Sequence, residues 1–216
     1  MRHGLQDHPD GNGDDAGQLQ PGGFLFSLSA DPSDRRQLLR HDVRGRGTTD
    51  PGAGTVFKIN PSGTLTVLHT FVGADGQAPL GALVQGSDGN FYGTTSFGGG
   101  NSGYAGTVFK LTPSGTFTTL HSFGSGDGAE PRAALIQATD GNFYGTTSGA
   151  GFGLDGTIFK ITPSGTFSTL FTFNGTNGEN PFSTLIEGAN GDLYGTTSLG
   201  GADGDGTVFS LSAGLN

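Results

Sequence analysis

Asn90–Ser96 reads NFYGTTS, the same seven letters return at Asn142–Ser148, and Asp192–Ser198 reads DLYGTTS. A string repeated in this way is either a reactive motif or a structural brick, and its surroundings decide between them. GTVFKINPSGTLTVLHTF starts at Gly54, GTVFKLTPSGTFTTLHSF at Gly106, GTIFKITPSGTFSTLFTF at Gly156 and the shorter GTVFSLSAGLN at Gly206, so the copies are spaced by 52, 50 and 50 residues. A fixed period of this size marks a tandem architecture in which each unit buries its faces only against its neighbours.

One period contains four short runs: Ala82–Gln85, Asn90–Ser96, Gly106–Leu111 and Thr116–Phe123. Thr, Val, Ile, Phe and Tyr suit a pleated, half-buried backbone, while Asp-Gly and Pro-Ser-Gly supply the turns. The pattern predicts a four-stranded up-and-down meander and no helix, because no Gly- and Pro-free stretch carries a 3.6-residue apolar period. Alternation places Thr55, Phe57 and Ile59 on one face and Val56 and Lys58 on the other; in the next run it sets Leu65, Val67, His69 and Phe71 against Thr64, Thr66, Leu68 and Thr70. Both faces carry groups that can be buried, as in a blade held between two other blades. The expected fold is all-β, a β-propeller-like array of four-stranded antiparallel blades. From Gly54 the chain supplies two strands, two complete units and three further strands, which predicts an incomplete arc with an open flank.

The 216 residues include no cysteine and carry a net charge of -9. Disulfides and thiolate metal sites are thereby excluded. Nucleic acid is not an expected partner, since phosphate binding needs clustered Lys and Arg and the only basic side chains after Gly54 are Lys58, Lys110, Arg132 and Lys160. No apolar run approaches the ~18 residues of a membrane-spanning helix, and no charged-then-apolar leader follows Met1.

Residues 1–53 differ from the tandem repeat region at 54–216: they hold six of the ten Lys and Arg residues and no GTVF or YGTT string. Codons for Leu38–Val43 (LLRHDV), read one base later, can spell FYGTTS, and those for residues 1–16 can conceal a GTVF copy whose glycine falls at position 2, 52 residues before Gly54. Residues 1–53 are therefore expected to be a disordered leader, an out-of-frame translation of one further repeat, which the nucleotide sequence distinguishes from an ordinary Gly- and Asp-rich segment.

The units GTVFKxTPSGTxTTLHSF and LIQATDGNFYGTTSxGG, which cover nearly everything from Gly54 to Ser212, resemble the GloVer tandem repeat of the choice-of-anchor family of exported bacterial proteins. That resemblance implies a propeller-like repeat region in a secreted or surface-anchored protein, and it implies no reaction. The chain shows neither that family's export signal nor its anchor, and the expectation is a fragment of something longer.

Weighed as chemistry, the repeated groups read as packing. Tyr92, Tyr144 and Tyr194 recur in every copy, and His69 and His121 stand where the third copy has Phe171, so that position is no required ligand or base. Thr94, Thr95 and Ser96 have no His or Lys in their string to activate a hydroxyl. Asp203 and Asp205, in GGADGDG, are weak calcium candidates, as are Asp75 and Asp127, calcium being the one cofactor the sequence suggests; turn chemistry is the much commoner use of such Asp-Gly steps. Binding is expected where copies differ, on the loop aromatics Phe97, Tyr104 and Phe152 with Leu154, which could meet a carbohydrate or a protein surface. The sequence thus favours a non-enzymatic extracellular or cell-surface module for binding or structure. The alternative is a propeller hydrolase or lyase with its site at the central channel, to which the non-repeated Glu130, Arg132, Glu179 and Glu187 could contribute.

Overall fold

A computed structural model describes residues 38–42 as backbone and residues 53–100, 105–124, 126–149 and 155–215 in full. Fourteen strands are found there, in four antiparallel sheets. The first sheet joins β1 (Leu38–Asp42), β2 (Thr55–Ile59) and β3 (Leu65–Thr70) in that order. The second joins β4 (Val84–Gln85), β5 (Phe91–Thr95), β6 (Thr107–Leu111) and β7 (Phe117–Ser122). The third repeats it with β8 (Ile136–Gln137), β9 (Phe143–Thr147), β10 (Thr157–Ile161) and β11 (Phe167–Thr172), and the last has β12 (Ile186–Glu187), β13 (Asp192–Thr197) and β14 (Thr207–Ser212). The protein is all-β, a propeller-like array of meander blades that does not close on itself, and no helix occurs among the described residues.

Blade packing follows from the alternation inside GTVFK. Val56 of the first blade lies with Phe71 and Leu68 against Phe91, Phe109, Leu111 and Leu83 of the second. Val108 and Tyr92 of the second meet Phe143, Phe159 and Ile161 of the third, and Ile158 and Tyr144 of the third meet Leu193 and Leu185 of the fourth. Each sheet thus offers a Val/Tyr face to a Phe/Leu face. The middle strands β5 and β9 are consequently buried at every residue. Where no described blade follows, the same pattern is exposed: Val208 is 83% accessible, against 0% for its equivalent Val108.

The simple alternation expected in the last run of each unit does not hold. Val56 pairs with His69 but Phe57 pairs with Val67, and the same register shift recurs between Val108 and Phe109 and between Ile158 and Phe159. The extra residue of this bulge bends the strand, so His69 sits on the opposite face from Val67 and turns toward the second blade.

Among the described residues, one strand lies upstream of Gly54. β1 pairs Leu38 with Ile59 and Asp42 with Thr55, as Phe91 pairs with Leu111 and Thr95 with Thr107. The backbone of Leu38–Asp42 therefore takes the place of FYGTT, in the register in which the shifted frame lays that string. The remainder of residues 1–52 lies outside the described residues, as does the expectation of disorder there.

A candidate binding face along the first strands

The groups that could look reactive are engaged in holding the blades. In the second copy the Thr95 hydroxyl lies 2.8 Å from that of Thr107, and the Thr94 and Ser96 hydroxyls donate to the carbonyls of Ala133 and Pro131 in the next blade, at 3.3 and 3.0 Å. Thr146 repeats the link to Pro181 at 3.3 Å. The Thr94, Ser96 and Thr146 bonds tie one blade to the next, the Thr95–Thr107 contact joins β5 to β6 within its own blade, and each of these oxygens is already paired.

Tyr92 and Tyr144 are buried rings whose hydroxyls donate to Asp88 and Asp140, at 2.8 and 2.9 Å. Strand pairing, which the linear string does not display, sets Lys110 opposite Tyr92 and Lys160 opposite Tyr144. Their ammonium groups lie 3.0 and 2.9 Å from the same carboxylates. Desolvation alone would push the Asp140 carboxyl up, but hydrogen bonds from Lys160, from the Asn142 side chain and backbone, and from Tyr144 outweigh it and hold the acid well below the usual range; Asp88 behaves likewise. A carboxyl depressed in the folded state contributes stability that is present above its unfolded pKa and lost as pH falls through the folded one. Acid titration followed by circular dichroism should therefore show stability declining from about pH 4 downward, and Asp140→Asn should flatten that decline. An unchanged acid limb in the variant would show that the carboxylate is not so held.

His69 and His121 stack on Phe117 and Phe167 of the following blade, centroids 3.8 Å apart in both cases, and bond to Asp75 and Asp127 at 2.9 and 2.8 Å. The same aspartates accept the backbone N–H of Val72 and Gly124, as turn residues do.

The loop candidates fare differently from one another. Phe97 is half-buried and its backbone bridges to Gln77, whereas Tyr104, Phe152 and Leu154 lie outside the described residues. Asp203 and Asp205 are exposed on the β13–β14 connection, and no group of three His, Asp or Glu able to hold a metal ion occurs among the described residues.

A second set of non-repeated residues is brought together by the fold. The segments leading through β4, β8 and β12 read APLGALVQ, EPRAALIQ and NPFSTLIE from Ala78, Glu130 and Asn180. They converge on one another: a Cβ on Gly81 would lie 2.4 Å from the Ala133 carbonyl oxygen, so only glycine admits this approach. At the far end the Ser87 N–H bonds Gln137 Oε1 at 2.8 Å, and the Thr139 N–H bonds Glu187 Oε2 at 3.0 Å. Contact at both ends is what the innermost strands of adjacent propeller blades make.

Ala78, Glu130 and Asn180 each hold a positive φ near 55° immediately before a proline. Left-handed backbone is costly for residues with a Cβ and persists only where surroundings impose it. Here two backbone bonds do so in every copy, for example Glu130 N–H to Ala105 and Ser148 N–H to Glu130. Two residues on, past the buried prolines, stand Leu80, Arg132 and Phe182, with Arg132 and Phe182 exposed. Arg132 donates to Glu130 and sits 5.5 Å from the centroid of the Phe182 ring. A cation, an acceptor and an open aromatic face thus share one surface spanning two blades, a set suited to a ligand with both a flat apolar side and hydroxyls. Glu130 and Arg132 are legible in the sequence as non-repeated charges, whereas Phe182 is signalled only by variation at a fixed position after an X-Pro step, whose strain is invisible before the fold is known.

Residues 37–215 match the family described as the Gloeobacter/Verrucomicrobia repeat. No curated protein matches the sequence. Among solved structures the chain is similar in fold to a luciferin-regenerating enzyme, with 17% identity and a TM-score of 0.54, covering 87% of this chain and 61% of that one. A protein of unknown function from Dyadobacter fermentans gives 12% identity and a TM-score of 0.54, covering 84% and 64%. A gluconolactonase from Xanthomonas campestris gives 14% and 0.48, covering 78% and 52%. The chain spans less than two thirds of each of these structures, and at such identities the likeness is one of fold alone.

Proposed function

Because the chain belongs to the Gloeobacter/Verrucomicrobia repeat family, we propose that its blades form a non-enzymatic binding module of a secreted or cell-surface protein, with carbohydrate as the ligand. The reading is carried by one observation. Thr94, Thr95, Ser96, His69, His121, Tyr92, Tyr144, Lys110 and Lys160 of the repeated strings are engaged in internal contacts, whereas the first-strand face gathers Glu130, Arg132 and Phe182, which no other copy shares. Phe182 offers a ring to the apolar face of a sugar, and the Arg132–Glu130 pair offers donors and acceptors to its hydroxyls. Residues on a rigid scaffold that vary while the scaffold repeats are where binding resides.

A glycan array probed with the chain and with an Arg132→Ala/Phe182→Ala variant tests this, run beside a general hydrolase panel. The chain should retain a subset of glycans and the variant should bind them at least about tenfold more weakly, with an unchanged melting temperature because both side chains are exposed. Undiminished binding by the variant would remove this face from consideration. Turnover in the hydrolase panel would replace the binding module with the enzyme reading.

A further inference from the structure

Glu130 is matched to a glycine that the other copies lack. Its backbone is pinned by its N–H, which donates to the Ala105 carbonyl at 2.9 Å, and by its own carbonyl, which accepts the Ser148 N–H at 3.2 Å and the Ser148 hydroxyl at 2.9 Å. Ala129 beside it bridges to Gly149, at the place where the other copies put Phe97 and Leu199. A Cβ on Gly149 would lie 3.7 Å from both Cγ and Cδ of Glu130, so the acid side chain runs over the glycine and fills space that a longer residue would take. The backbone of Gly149 is not left-handed, and conformation alone does not demand glycine there. The pairs Ala78 with Phe97 and Asn180 with Leu199 are thus exchanged in this blade for Glu130 with Gly149.

The carboxylate so placed accepts Nη2 of Arg132, two residues on, and the guanidinium carbon lies 5.5 Å from the centroid of the Phe182 ring in the next blade. Arginine carries a planar fork of five donors, so its bond to Glu130 leaves further N–H groups for a ligand while matching the positive charge. Glu179, three residues before Phe182 and bonded by the Asn180 side chain at 3.3 Å, adds a second carboxylate to that segment. The face therefore offers N–H donors without net positive charge. Resting on the carbohydrate reading above, we propose that Glu130 is the specificity-determining residue of this face and that the ligand is an uncharged sugar, the carboxylate turning away sugars that carry a carboxylate of their own. A neutral sugar stacks on Phe182, accepts from Arg132 through its hydroxyl oxygens and donates a hydroxyl to Glu130. A uronic sugar in the same seat has to share Arg132 with Glu130 and brings a like charge close to it, an opposition that rejects one partner without strengthening the other.

The test applies the full chain and its Glu130→Gln variant to a glycan array carrying oligomers of glucose, galactose and mannose beside the matching uronic acids, then titrates the best-bound member and its counterpart by calorimetry. The unaltered chain should bind the neutral member at least about tenfold more tightly than the acidic one. Glu130→Gln keeps an acceptor for Arg132 and removes the charge, and the neutral-to-acidic ratio should collapse to about twofold or less, a change in selectivity that a merely structural role of Glu130 does not produce. Gly149→Leu, which puts the side chain of another copy into the space of the carboxylate, should lower the ratio in the same direction; should that variant fold poorly, Glu130→Gln carries the test alone. The selectivity of the unaltered chain should also weaken as salt rises. A ratio unmoved by Glu130→Gln, or an unaltered chain that favours the acidic member, would overturn the proposal while leaving the carbohydrate reading in place. A chain that retains no glycan of either kind would overturn both.

Discussion

Replacing Tyr144 by alanine should lower the stability of the folded chain by roughly 3 kcal/mol or more, while leaving ligand binding per folded molecule unchanged. The ring is 1% exposed and belongs to the cluster joining the third and fourth blades, with Ile158, Phe173, Leu185 and Leu193. Its removal opens a void that two twisted sheets cannot close without losing the register of Thr146 on the Pro181 carbonyl. It also deprives Asp140 of one donor, although Lys160 and Asn142 remain bonded to the carboxylate. Tyr144→Phe, which keeps the ring and removes only that hydrogen bond, should cost about 1 kcal/mol. Urea titrations of the three proteins separate the two contributions. A Tyr144→Ala protein of undiminished stability that has lost an activity would return the string NFYGTTS to the class of reactive motifs.

Gly106→Ala should be comparably damaging, by about 3 kcal/mol, from backbone strain added to overpacking. This glycine opens GTVF at φ +101°, and a Cβ there would lie 2.2 Å from the Thr95 carbonyl oxygen and 2.9 Å from Pro131 Cδ of the next blade. Both obstacles are held by their own contacts: Thr95 pairs with Thr107 across the sheet, and the Pro131 carbonyl accepts the Ser96 hydroxyl. Gly89→Ala is the control, because Gly89 is also left-handed, at φ +79°, but would meet nothing within 4 Å. It should cost only about 1 kcal/mol. Equal urea midpoints for the two alanine variants would mean that the close approach at Gly106 does not constrain the blade interface.

Much of this architecture is legible in the letters because a repeat states its rule several times. The period, the Pro-Ser-Gly and Asp-Gly turns and the two-sided burial of GTVFK lead to blades, and the count of strands leads to an open flank. What the letters do not display is which residues the strands and blades bring side by side. Lys110 is 18 residues from Tyr92, yet β5–β6 pairing sets them opposite each other. The bulge beside Phe57 puts His69 on the other face from Val67, and a strict period of two cannot anticipate it. The candidate site was least legible. Glu130 and Arg132 stand out as non-repeated charges, but their meeting with Phe182, about one period away, depends on the convergence of the first strands. The loop aromatics looked more promising only because they interrupt glycine-rich segments. Leu38–Asp42 carries no recognisable repeat letter, yet its backbone follows the FYGTT register, which β2 imposes through main-chain pairing that is indifferent to side-chain identity.

Native-state hydrogen exchange compares the repeated strings most directly, since GTVF and GTIF begin strands in different surroundings. If these strings are bricks whose role comes from their place in the array, the amides of β6 and β10, paired on both edges and buried on both faces, should exchange only with global unfolding. In β14, paired with β13 alone, the amides bonded to β13 should be protected and the alternate ones should exchange rapidly. Uniform protection along β14 equal to that of β10, or rapid exchange in β6 and β10, would contradict an array of blades held by their neighbours.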